Sequence, residues 1–196
     1  MKKLLIVVDY QNDFVDGALG FEKAKTLDKG IAEKVRKFIG NGDLVLFTYD
    51  THDKFYLDTQ EGKNLPVVHC IEDSEGWQVY GETGKVVEEI SDLDNATYVT
   101  KTTFGSDILL SILQGTYEGG GYYGFMHQYL FDEIVEVHIC GVVTNMCVIS
   151  NAVIAKTALP EAKIVIHADL CASFDEDLHD QALNVMEGMQ MEIVGR

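Results

Sequence analysis

Five consecutive apolar residues, Leu4, Leu5, Ile6, Val7 and Val8, run without interruption into Asp9. A strand with one wet face alternates apolar and polar side chains, so an unbroken run belongs to a strand covered on both faces. Leu44, Val45, Leu46 and Phe47 form a second such run, which continues through Thr48 and Tyr49 to Asp50, and Ile139 and Cys140 lead another into Gly141. Strand-like runs fall at 3–9, 43–49, 66–70, 96–100, 134–140 and 162–167, with a last apolar run at 190–194. Helix-like segments lie between them at 24–39, 83–90, 105–114, 125–132, 145–157 and 176–188, the first with Ile31, Val35 and Phe38 at helical spacing. This alternation predicts right-handed crossovers and an α/β fold, a doubly wound, mostly parallel six-stranded sheet with helices on both faces.

A chain of 196 residues that is 46% hydrophobic is long enough for one well-packed domain, so residues 1–196 are expected to form a single one. The two prolines, Pro66 and Pro160, make no linker. A net charge of −17 excludes nucleic acid as a partner and disfavours anionic substrates relative to neutral ones. No run approaches the ~20 apolar residues of a membrane span. Asp9 interrupts the N-terminal apolar run too early for a signal peptide, so a cytoplasmic location is expected. Of the four cysteines, Cys70, Cys140 and Cys171 sit in or beside apolar runs and read as reduced core residues.

The chemistry gathers at strand ends. Cys147 follows the turn after Gly141, where open α/β sheets place their ligands, and a helix starting there would aim its positive end at the sulfur and favour the thiolate. Asp9 leaves the first strand at the same edge, and Lys101 ends the β-prone run from Ala96. Asp50 and His52 are two apart in an extended segment and face one way, and His69 follows in Pro66-Val67-Val68-His69-Cys70. One carboxylate and two imidazoles suit Zn²⁺, with Mn²⁺ or Fe²⁺ as alternatives, and Glu61 or Asp58 can complete the set. His127, His138, His167 and His179 read as structural. The Gly/Tyr-rich stretch 115–124 reads as a loop, able to serve as a lid.

Three motifs, Asp9-Tyr10-Gln11-Asn12-Asp13-Phe14, Lys101 with the Phe104-Gly105 pair, and Gly141-Val142-Val143-Thr144-Asn145-Met146-Cys147, occur in the order found in one superfamily. The chain resembles the isochorismatase-like cysteine hydrolases, which include nicotinamidases, isochorismatases and N-carbamoylsarcosine amidohydrolases, and the likeness spans essentially the whole sequence. The resemblance implies Cys147 as nucleophile, Asp9 as general base, and Lys101 as the cation that lowers the thiol pKa. It also implies an oxyanion hole from the N–H groups of Val143 and Cys147 with a cis Val142–Val143 peptide, and a divalent metal, most simply Zn²⁺, on Asp50, His52 and His69. The activity implied is amide hydrolysis with release of ammonia from a small amide, nicotinamidase-like, by a homo-oligomer. Vinyl-ether or N-carbamoyl hydrolysis within the same superfamily is the alternative. Leu65 stands where nicotinamidases often carry a tryptophan that stacks on the substrate ring, which leaves Phe14 and Trp77 as candidate aromatic walls.

Overall fold

β1 (Lys2–Val8) is paired on both edges and covered on both faces, and the second of these is why its sequence lacks polar alternation: Leu4 through Val8 are fully buried. The structure, a computed structural model, describes residues 1–117 and 134–196. Its sheet has the order β3-β2-β1-β4-β5-β6, built from β1, β2 (Leu44–Asp50), β3 (Ala96–Lys101), β4 (Ile134–Val142), β5 (Lys163–Ala172) and β6 (Glu192–Val194). Every pairing is parallel. Winding runs outward from β1 through β2 to β3, then resumes on the other side of β1 with β4. That reversal opens a crevice beyond the carboxyl ends of β1 and β4.

Register aligns the strand exits. Val8 is level with Thr48 on β2 and Gly141 on β4, and Asp50 is level with Lys101. Gly141 has φ +118°, and a Cβ there would lie 2.1 Å from the Val8 carbonyl oxygen, so only glycine allows β4 to approach β1 at this point.

The helical layers cover both faces. α3 (Asp28–Gly40) buries Ile31, Ala32, Val35 and Phe38 against β1 and β2 and packs on α5 (Gly81–Ile90). On the other side α6 (Asp107–Leu113) packs on α7 (Ile149–Ala158), which meets α8 (Glu176–Gly188). The short α1 (Asn12–Val15), α2 (Glu22–Lys25) and α4 (Gln60–Asn64) decorate the strand exits. No described helix is long and apolar enough to cross a membrane.

Three expectations are corrected or left aside. The continuous helix expected at 24–39 is divided into α2 and α3: the Thr26 hydroxyl donates to the Lys23 carbonyl, and the Asp28 carboxylate is turned outward to accept from the N–H groups of Glu82 and Thr83 at the start of α5. The run at 66–70 is not a strand of the sheet. Pro66 offers no N–H, Val68 is exposed, and both edges of β2 are already taken, so the segment lies across the end of β2 with a single bridge from His52 to Ile71. The helix expected at 125–132, His127 and most of the Gly/Tyr stretch lie outside the described residues.

Asp28 acts as an N-cap supplied from another helix, so Asp28→Ala should cost about 1–2 kcal/mol. Gly141→Ala, which adds both backbone strain and a clash with β1, should cost about 3 kcal/mol or more. Urea denaturation of both variants checks the order; a Gly141→Ala protein as stable as Asp28→Ala would contradict the close approach of β4 to β1.

Candidate active site

The exits of β1, β2 and β3 and the turn after β4 bring four side chains to one buried cluster. Asp9 has φ +46°, its N–H donates to the Thr48 carbonyl at 3.1 Å, and its Oδ1 accepts from Thr48 Oγ1 at 2.6 Å. Its Oδ2 lies 2.7 Å from Lys101 Nζ. The same ammonium is 3.1 Å from Asp50 Oδ1 and 3.7 Å from Cys147 Sγ. Asp9, Lys101 and Cys147, expected together from three strand ends, are thus in mutual contact, and all are buried.

Burial sets the protonation states. It raises Asp9 above the ordinary aspartate range, against the pull of Lys101, which makes Asp9 a stronger base than a solvated carboxylate. Burial would lower Lys101, but Asp9, Cys147 and Asp50 together hold it well above its ordinary value, so the ammonium stays charged. Burial likewise pushes the Cys147 thiol up, and Lys101 only partly offsets this. Lys101 thus acts on the thiol in the expected direction, but burial outweighs it. Cys147 lies within a π turn, Thr144–Val148, ahead of α7, and in its resting form it carries its proton beside Asp9, with which it hydrogen-bonds.

Adjoining this cluster, Asp50, His52, Glu61 and His69 place their donor atoms within 4.8 Å of one another. Asp50 Oδ2 is 3.0 Å from His52 Nε2 and 3.2 Å from His69 Nε2, and His52 Nε2 is 3.8 Å from Glu61 Oε1. His69 Nδ1 donates to the Val67 carbonyl at 2.7 Å, which aims Nε2 at the group; there it donates to Asp50, and on giving up that proton it would offer its lone pair to a metal. Of the two acids left open by the sequence, Glu61 on α4 is brought in, while Asp58 stays exposed. Burial acts to raise Asp50, but Lys101 and the hydrogen bonds from His52 and His69 outweigh it and hold the carboxyl below the usual range. Two imidazoles and two carboxylates converging in this way fit a first-row divalent ion.

The first motif works as a clamp. The Gln11 amide accepts from Asp50 N–H at 2.8 Å and donates to the Asp50 carbonyl at 2.9 Å, joining the ends of β1 and β2. Asp13 Oδ2 accepts from Cys70 N–H at 2.7 Å, where Cys70 has φ +46°, and so anchors the loop that carries His69. Phe14 packs edge-on against the His69 ring at 5.4 Å. Trp77 is placed elsewhere: its ring meets Tyr49 at 5.0 Å and its Nε1 donates to Thr51 Oγ1, whose side chain points opposite to Asp50 and His52. It lines a separate cavity with Tyr49 and Tyr98. A cleft of about 620 Å³ lies between Glu61 and Met146, next to the residues that follow Lys101 and precede Cys147, and is walled by Leu65, Thr102 and Phe104. The Val142–Val143 peptide is cis.

Sequence reading missed Thr48 and Asn151. Thr48 precedes Asp50 by two on β2, so strand periodicity already placed it on the Asp50 face. Asn151 donates to the carbonyls of Cys147 and Phe104 and accepts from Ser106 N–H, tying the nucleophile turn to the Phe104-Gly105 segment. Its only signal was a polar residue four positions after Cys147.

The chain is similar to known proteins in sequence and fold. The model of the isochorismatase domain matches residues 3–195. PncA of Bacillus subtilis (strain 168), an isochorismatase family protein, is 31% identical over 191 residues, covering 94% of this chain and 93% of that protein. The crystal structure of nicotinamidase/pyrazinamidase PncA from Bacillus subtilis aligns over the whole of both chains with a TM-score of 0.81 at 30% identity. The pyrazinamidase of Pyrococcus horikoshii, crystallised in complex with zinc, shares the fold over all of both chains with a TM-score of 0.76 at 24% identity.

Among the four thiols only Cys147 has both a carboxylate to take its proton and a cation beside it. At pH 7.5 iodoacetamide should therefore modify Cys147 ahead of Cys70, Cys140 and Cys171, and Asp9→Asn should slow that modification tenfold or more. Peptide mapping by mass spectrometry reads both rates; equal rates with and without the Asp9 carboxylate would remove Asp9 as the base.

Proposed function

The chain belongs to the isochorismatase family, and from that membership and the geometry of the cluster we propose a nicotinamidase-like amidohydrolase that uses Cys147 to release ammonia from a small carboxamide. The observation that carries this reading is the single buried ammonium of Lys101 in contact with Asp9, Asp50 and the Cys147 thiol. A base, a nucleophile and a fixed positive charge in one dry pocket are what acyl transfer through a covalent intermediate requires.

The chemistry follows from the resting protonation states. As the sulfur adds to the amide carbonyl, the thiol proton passes to Asp9, whose raised affinity for protons matches this step. The N–H groups of Val143 and Cys147 are assigned to the oxyanion. Protonated Asp9 returns its proton to the departing nitrogen, the C–N bond breaks, and ammonia leaves a thioester on Cys147. Asp9 then takes a proton from water, hydroxide adds to the thioester, and the C–S bond breaks to give the carboxylic acid and the thiol. Lys101 stays charged throughout and holds Asp9 in place. Asp50, His52, Glu61 and His69 would hold a divalent ion, Zn²⁺ in the first instance, which when bound supplies a Lewis-acid anchor for a ring nitrogen or a water. Amides such as nicotinamide and pyrazinamide, the substrates in the names of the Bacillus neighbour, have the size and ring nitrogen for this arrangement.

Cys147→Ala should fold normally and lose at least about a thousandfold in kcat, since no other group in the cluster can form the thioester. Ammonia release from nicotinamide, pyrazinamide and benzamide tests this. Product without ammonia would indicate a different bond, and turnover by Cys147→Ala within about tenfold of wild type would eliminate the covalent route.

Chelation should raise KM for nicotinamide and pyrazinamide about tenfold or more and change benzamide, which has no ring nitrogen, far less. Zn²⁺ or Mn²⁺ should reverse the effect. Elemental analysis that finds no bound metal in an active, chelator-insensitive enzyme would dismiss the metal.

A further inference from the structure

Besides Asn151, two side chains hold the turn that carries Cys147 from outside it, His179 on α8 and Ser173 just ahead of that helix. Thr144 opens the turn, is fully buried, and has its Oγ1 2.8 Å from Nδ1 of His179 on α8. Asn145, the next residue, accepts at Oδ1 from Ser173 Oγ at 2.7 Å, and Ser173 Oγ in turn accepts from the N–H of Asp175, the N-cap of α8. The turn's own backbone contributes the N–H groups of Met146 and Val148 donating to the Val143 carbonyl. Nothing inside the turn occupies the Thr144 hydroxyl, so without His179 a buried hydroxyl loses its partner and the turn loses one of its outer holds.

We propose that His179 is a positioning residue for the nucleophile turn, acting through its hydrogen bond with Thr144 to keep Cys147 and the N–H groups around it aligned with Asp9. This rests on the assignment of Cys147 as nucleophile. His179 does not touch the cluster. Burial lowers its pKa, with Glu176 and Asp180 opposing and Lys23 and Arg196 acting in the same direction, so the ring is neutral near pH 7 and shares one hydrogen bond between Nδ1 and the threonine hydroxyl. A displacement of about 1 Å in a reacting atom can cost on the order of a hundredfold in rate while leaving substrate binding nearly intact. The same partnership explains why a histidine stands in the first turns of α8, a place that otherwise favours acids such as Glu176 and Asp177.

The test compares His179→Leu, His179→Asn and Thr144→Val on ammonia release from nicotinamide. His179→Leu should lower kcat by 10- to 100-fold with KM within about twofold and with thermal unfolding only slightly shifted. His179→Asn, which keeps a hydrogen-bonding atom at the δ position, should recover most of the loss. Thr144→Val should match His179→Leu, and the double variant should be no worse than either single one, since both remove the same bond. A wild-type kcat in His179→Leu, additive losses in the double variant, or no recovery by His179→Asn would overturn the inference. If Cys147→Ala itself keeps its turnover, the nucleophile assignment has failed; if Cys147→Ala is inactive and His179→Leu is unimpaired, only the role of His179 has.

Discussion

Everything at the carboxyl edge of the sheet depends on one buried ammonium. Lys101 faces two carboxylates and a thiol drawn from β1, β2 and the turn after β4, in surroundings where an uncompensated charge is costly. Each partner makes the others tolerable. Asp9 and Asp50 keep Lys101 charged, and Lys101 keeps Asp50 ionised and limits how far burial can raise Asp9. This shared dependence separates the two acids by role. Asp50, surrounded by donors, is a permanent anion, whereas Asp9, with Thr48 and Lys101 as its partners, is poised to gain and lose a proton.

Asp50 is also the joint between two sites. Its Oδ1 meets Lys101, and its Oδ2 faces His52 and His69. A metal-binding group and a thiol-activating group thus lie on opposite oxygens of one carboxylate, which fixes their separation without any flexible element. Backbone hydrogen bonds from the Gln11 amide hold that carboxylate's strand end, and Asp13 holds the His69 loop. The Asp9-to-Phe14 motif is therefore mostly scaffolding, with Asp9 its chemical member.

The outer supports come from further away in the chain. Asn151 ties the nucleophile turn to the loop after Lys101, and His179 and Ser173 tie it to α8. Such supports are the means by which a site keeps its geometry when its reacting groups carry mismatched charges.

The sequence by itself determined the parallel α/β architecture, because apolar runs such as Leu4 to Val8 leave no wet face, and it placed Asp9, Asp50 and Lys101 at strand exits because each ends a run of β-prone residues, and Cys147 just beyond another because a glycine and a polar turn precede it. It also showed Asp50 and His52 on one side of a strand, since a two-residue period is local. Tertiary structure alone decided what depended on distance between segments. Trp77 faces away from the cleft because Thr51 alternates against Asp50; Glu61 rather than Asp58 joins the metal group because α4 turns Glu61 towards the histidines, while Asp58, in the turn before it, stays exposed. The segment at 66–70 lies across the end of β2 because the strand's edges were already filled. The protonated state of Cys147 was equally out of reach of a motif, since it is set by how completely three other chain segments exclude water from the sulfur, and desolvation is a property of the assembled fold.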